Sequence, residues 1–380
     1  HRLFNDDMGE PMMVDLKGAV TVLGPLWPRM LGLAWSPDGS EVLFTAGKGS
    51  RNMLVAVSPS GGKRELYRSP SDLRLEDISP DGTILVTEQV ERCELVFSGA
   101  GRPEQTLTWG TWTSSIGAVL DDGSVLFAES ALLAPDPGEF PVQPALTLLR
   151  RPDRGAAQLL GRGTPLDMAP DRRSALVVAL DRKTVTSIPI GAGESVSVRT
   201  NGMDVAAARW LPDGRRLACL CREGSDAEHH LFVVPQDGSP PTRLSDLPLT
   251  PRRVLHASPD GRWVASLDRA GLLLLISTVD GSVSRLPEAG EDAIPRGWSA
   301  EGHLWVTRGG DATPARARLL RIDLDRRRVV EERTIGPTEG SGAIYIRDVA
   351  VSRDGRSVAF AYGRNLGYLY AIRGLLNPGR

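Results

Sequence analysis

Arginines, histidines, cysteines and a recurring set of turn aspartates are the residues of this chain that could do chemistry. The arginines recur at a fixed place. Counting seven residues back from Asp81, Asp260 and Asp354 gives Arg74, Arg253 and Arg347. Arg29, Arg209 and Arg296 fall near the same place at slightly different offsets. If each aspartate sits in the turn after an innermost strand, these six side chains gather at one mouth of a central channel. Converging guanidinium groups bind carboxylates and phosphates through paired N–H donors. The implied partner is an anionic small molecule or an acidic peptide or protein. Trp112 or Tyr345 would add an aromatic wall. The competing reading pairs the same arginines on the surface with Glu76, Asp77 or Asp348.

Catalytic and metal chemistry finds less support. The five histidines are His1, His229, His230, His256 and His303. His256 precedes Ala257-Ser258-Pro259 in an expected inner strand, where a hydrogen-bonded core histidine is the plainer reading than a base. His229 and His230 follow a polar stretch and read as a solvated loop. Neighbouring strand residues face opposite ways, so the two do not share a metal. His303 stands at a turn-to-strand junction with no role implied. Cys93, Cys219 and Cys221 form no disulfide framework. Cys219 and Cys221 are two apart in an apolar run, share a strand face, and read as buried small apolar groups. Each turn offers one or two carboxylates, too few for a calcium loop. No Gly-x-Ser-x-Gly elbow occurs. No cofactor or metal is expected.

The whole composition narrows the classes further. The chain has 380 residues, with 41% apolar and 24% charged, an ordinary globular balance. Lys plus Arg number 45 and Asp plus Glu 47, a net charge of −2 with pI near 6.3. No basic excess exists to neutralise a nucleic-acid backbone. Purely apolar runs such as Leu272 to Ile276 are far short of the roughly 20 residues that span a bilayer. The chain opens at His1, which suggests a portion of a longer or processed protein, with any anchor or address upstream. A monomer is expected.

The elements that position these residues come from a repeat. The pattern Ser-Pro-Asp-Gly, or a relative, is centred on residues 38, 81, 122, 171, 213, 260, 301 and 354, spaced 41 to 53 residues apart. Pro presets φ, Asp bonds its local backbone, and Gly supplies positive φ. Alternating segments such as Glu41–Thr45 and Arg262–Ser266 flank the turns. A second hairpin follows within each repeat, for example Met53–Val57, a Gly turn, then Lys63–Tyr67. Such a period fits four strands per propeller blade. The expected fold is all-β: a β-propeller of four-stranded antiparallel blades, eight in number, with seven as the alternative. Residues 1–380 then form one domain. The hairpin within 1–24 either completes the last blade and closes the ring with the C-terminal strands, or is the remnant of an upstream blade. After the last motif, Ser357–Tyr362 and Tyr368–Ile372 read as separate strands. Ala134–Pro141 is a Pro-rich insertion whose Phe140 could serve a partner. Three turns depart from the pattern: Arg172 replaces Gly, Asp121-Asp122 replaces Pro-Asp, and Glu301 replaces Asp, so distorted turns are expected there.

The turn pattern at this spacing resembles the TolB-type, WD-repeat-like propeller family, from about Met12 to Leu376. The runs Leu23–Trp27 and Leu31–Ala46, with the ending Leu369–Leu375, resemble the C-terminal propeller of bacterial eukaryotic-like serine/threonine kinases. That resemblance implies a non-catalytic sensor or interaction module, outside the cytoplasm and anchored by an upstream membrane helix. This chain has no glycine-rich phosphate loop, His-Arg-Asp run or Asp-Phe-Gly of its own. The alternatives are a free periplasmic scaffold of TolB type and, less favoured, a propeller lyase or hydrolase. A peptidase gate is disfavoured.

Overall fold

Each of the eight turns joins the first two strands of an antiparallel sheet, and the chemistry that closes them is local. Ser36, Ser258 and Ser352 donate their hydroxyls to Asp38, Asp260 and Asp354 at 2.6, 2.5 and 2.6 Å. The same aspartates accept the backbone N–H two residues on. Arg172 adopts φ 60°, the conformation that Gly takes elsewhere, and its N–H still reaches the Ala169 carbonyl at 2.8 Å. The distortion expected at that turn does not occur.

A computed structural model describes residues 9–27, 29–48, 51–69, 71–99, 101–108, 112–130, 145–151, 155–310 and 315–376. The insertion Ala134–Pro141, with Phe140, lies outside them. Strand is the dominant structure, and among the described residues no helix is long and apolar enough to cross a membrane. The chain gathers into two compact units.

The first unit takes residues up to 91 and from 365 onward. The hairpin β1 (Met12–Val14) and β2 (Val20–Val22) is a sheet by itself. A four-stranded sheet follows: β3 (Arg29–Trp35), β4 (Val42–Lys48), β5 (Arg51–Val57) and β6 (Lys63–Ser69). β7 (Asp72–Ile78) packs on β3 and pairs with residues 84–89 of β8 (Ile84–Gly99). Leu43, Leu54, Leu73, Leu75 and Ile84 fill the space between these sheets.

The second unit holds the rest. Its sheets are β10 (Trp112–Val119), β11 (Val125–Ser130), β12 (Leu146–Arg150) and β13 (Gln158–Arg162); then β14 (Thr164–Met168), β15 (Ser174–Val178), β16 (Val185–Pro189) and β17 (Val196–Val198). Next come β18 (Asp204–Trp210), β19 (Arg216–Arg222), β20 (His230–Pro235) and β21 (Thr242–Arg243); then β22 (Leu255–Ala257), β23 (Trp263–Leu267), β24 (Leu273–Ser277) and β25 (Val283–Arg285). β26 (Ile294–Trp298), β27 (Leu304–Gly309), β28 (Ala317–Asp323) and β29 (Arg328–Ile335) follow. Finally β30 (Ala343–Val351) pairs with residues 358–364 of β31 (Ser357–Ile372), whose other neighbour is β8, which in turn pairs with β9 (Gln105–Thr106). The innermost strands pack in order, β10 on β14, β14 on β18, β18 on β22, β22 on β26, β26 on β30, and β30 back on β10. Second strands such as β15, β19, β23 and β27 are buried on both faces. Leu176, Leu217, Cys219 and Phe232 share one buried layer.

Two expectations need correction. The N-terminal hairpin pairs with no other described strand, so it does not complete the last sheet. That place belongs to the second half of β8, whose buried Cys93, Leu95, Val96 and Phe97 supply an apolar surface; β1 and β2 are short and exposed. And β31 is one strand where two were expected. Gly363 stays out of the positive-φ region and lies under the Tyr345 ring, so nothing turns the chain there.

Candidate functional site: an arginine-lined cavity

Bulges decide which side chains enter the middle of the second unit. β26 shifts register between Pro295 and Gly297, and β30 between Ile346 and Asp348. The unmatched residues are Arg296 and Arg347. A bulge re-aims a side chain without breaking the ladder around it. Comparable shifts fall in β10, β14 and β18.

A cavity of about 830 Å³ lies among the six innermost strands. Its wall includes Arg172, Arg209, Arg252, Arg253, Arg296, Arg347 and Arg353, against Asp121, Asp167 and Asp348. Four of the six arginines singled out by spacing, Arg209, Arg253, Arg296 and Arg347, therefore share one space. Arg29 and Arg74 belong to the first unit. The Arg29 side chain lies outside the described residues, and Arg74 is exposed beside Glu76 at 3.6 Å. For Arg74 the surface-pair reading is the observed one. Arg252, Arg353 and Arg172 were not anticipated. Arg353 stands where its turn pattern has Pro and Arg172 where it has Gly, so the departures themselves were the signal.

The middle of the cavity is charge-compensated. Arg296 donates through Nη1 to Asp348 at 3.1 Å and through Nε to Thr307 at 2.8 Å, with its side chain only 10% exposed. Burial holds its guanidinium below the ordinary range, and Asp348 opposes that. Asp348 also accepts the N–H of Ile116 at 2.9 Å, tying β30 to β10. Asp167 does the same between β14 and β18, accepting the Trp210 N–H at 2.9 Å. Burial pushes the Asp167 carboxyl up, and Arg209 pulls it back. Arg209 donates through Nε to the Leu255 carbonyl at 2.8 Å. His256 lines the wall with its proton affinity well below normal, first from burial and then from Arg209 and Arg296, and its ring bonds the Pro295 carbonyl. It is a neutral, hydrogen-bonded histidine.

The mouth at the N-terminal ends of these strands is different. Arg253 is open to the solvent of the cavity yet hemmed in by protein. Its guanidinium is held below the ordinary range first by burial, then by Arg182, with Arg347 adding to the repulsion and Asp348 opposing it. Arg252 and Arg347 stand on the same wall. Like charges in a confined space are tolerated more easily when an anion joins them. Two polar atoms of the wall, Ser115 Oγ and Trp210 Nε1, are buried without a hydrogen-bond partner.

The remaining candidates fall elsewhere. The Trp112 side chain lies outside the described residues, and Tyr345 is not in the cavity wall. His229 and His230 are buried rather than in a solvated loop, 7% and 6% exposed. His229 sits by Arg182 and Asp204, and His230 Nδ1 bonds Arg243 at 3.0 Å. All three cysteines are buried, and none is in a disulfide. Among the described residues, no three ligating side chains gather to hold a metal.

No protein-family model matches the chain, and no curated protein matches it. Solved structures give partial likenesses. TolB from Acinetobacter baumannii superposes at TM-score 0.32 and 15% identity, covering 72% of this chain and 60% of TolB. A nidogen/laminin complex chain gives 0.45 and 14%, covering 65% and 95%. An oligogalacturonate lyase from Vibrio parahaemolyticus gives 0.41 and 13%, covering 79% and 93%. At these scores the likenesses carry no argument about the site.

Proposed function

We propose that the second unit is a β-propeller of six blades whose central cavity binds an anionic ligand, an acidic peptide or small anion, without turning it over. The cycle of packing from β10 round to β30 supports six blades for this unit, with the first two turn motifs lying in the other. One observation carries the binding reading: seven arginines and three aspartates line one cavity, with Arg252, Arg253 and Arg347 together in its wall. A low-dielectric wall strengthens their pull on an anion relative to a flat surface. The non-catalytic reading rests on the two inner aspartates, Asp167 and Asp348, which spend carboxylate oxygens on backbone N–H groups. An extracytoplasmic sensor or scaffold role, including service to a membrane-anchored kinase, rests on the sequence resemblance.

The test is a calorimetric titration of a short oligoglutamate peptide into the whole chain. Replacing Arg253 and Arg347 by Ala should weaken binding at least about tenfold, since charged hydrogen bonds are each worth about 1.5–3 kcal/mol. Arg74→Ala, in the first unit, should leave it unchanged. Equal affinity in the double variant would overturn the site. Consumption of the ligand would overturn the non-catalytic reading.

A further inference from the structure

The end of β31 presents an exposed strand edge. Its residues from 365 onward belong to the first unit, and β8 is the neighbour on one side. Pairing with β30 stops at Arg364. The other edge of 365–372 therefore has no partner among the described strands. Residues 367 to 371 are all exposed, although successive side chains point to opposite faces. Tyr368 is 49% exposed, Leu369 63% and Tyr370 46%. The run Gly-Tyr-Leu-Tyr-Ala-Ile has no charge and no proline, the two devices that normally keep a free edge from pairing.

The sequence of this edge is complementary to itself. About Leu369, Tyr-Leu-Tyr reads the same in both directions. In an antiparallel pair centred there, Tyr368 meets Tyr370 of a second copy, Gly367 meets Ala371, Leu366 meets Ile372, and Asn365 meets Arg373. Aromatic faces aromatic, aliphatic faces aliphatic, and no like charges oppose each other, the pattern that stabilises cross-strand neighbours. A two-fold arrangement of this kind closes on itself. We infer that residues 366–372 pair edge to edge with the same residues of a second copy, giving a dimer where the sequence suggested a monomer. One short ladder buries less than the roughly 1,200 Å² of a standard interface, so the dimer is weak and depends on concentration.

Sedimentation equilibrium of the whole chain, from low to high micromolar concentration, tests this. The wild type should shift from monomer to dimer across that range. Leu369→Lys sets two lysines opposite each other on the two-fold axis, their Cβ atoms about 5 Å apart, and should hold the chain monomeric, as should Leu369→Glu. An equal mixture of the two variants should recover a mixed dimer. Leu369 is exposed, so both variants should melt like the wild type. A wild type that stays monomeric, a dimer that survives Leu369→Lys, or a mixture that does not recover would each overturn the proposal.

Discussion

Arg296 and Arg74 hold similar places in their repeats and opposite physical situations. Arg296 is nearly buried and bound to Asp348 and Thr307. Arg74 is exposed, with Glu76 at 3.6 Å. Removing one partner of a buried pair strands the other, so Arg296→Ala should cost about 3 kcal/mol in urea unfolding. Arg74→Ala should stay within about 0.5 kcal/mol of wild type, as exposed pairs do. Equal costs would show that burial is not what separates them. The turn aspartates make a pH prediction. Asp38, Asp81 and Asp280 are each lowered from 3.8 to about 2, chiefly by a serine hydroxyl, that of Ser36, Ser79 and Ser277. A depressed folded value means stability that is present above about pH 4 and lost as pH falls through about 2. The melting-temperature gap between wild type and Asp81→Asn should therefore be full at neutral pH and shrink between pH 4 and 2. A gap unchanged at pH 2 would remove the charge from the explanation. The offset count found Arg296 and Arg347 at the bulges of β26 and β30, and Arg209 and Arg253 at positions without a register shift. It missed Ser115 and Trp210, because an unmet polar atom depends on what surrounds it and not on its own residue type.

At the scale of the element, the turns were legible because Pro, Asp and Gly act on their own neighbours. Close approach between strands was not. Gly32, in β3, has φ 64°, and a Cβ there would stand 1.9 Å from the Leu75 carbonyl oxygen of β7. Gly39, at φ 70°, would meet nothing within 4 Å. Gly39→Ala should cost about 1 kcal/mol, the ordinary penalty of a left-handed residue. Gly32→Ala should cost more than about 2 kcal/mol, because backbone must move as well. Chemical denaturation of the two variants checks this, and equal losses would mean that β3 and β7 do not meet so closely. The length of β31 was illegible for a related reason. Gly363 reads as a breaker, yet it lies within the strand, where the Tyr345 ring leaves no room for a side chain.

For the whole molecule, eight motifs implied eight blades, because a repeat count assumes that every repeat joins one ring. Six inner strands pack in a cycle, while β3 and β7 pack on each other in the first unit. β8 and β31 each run 16 residues, with residues of each assigned to both units. No turn motif records that sharing. The cavity bounded by the six strands is the centre of the functional account, and locating a ligand in it is the most direct test. The measurement is a crystal structure of the chain grown with a hexaglutamate peptide. Carboxylate density is expected within hydrogen-bonding reach of Arg253 and Arg347. Peptide density outside the cavity, or an empty cavity beside saturating peptide, would contradict it.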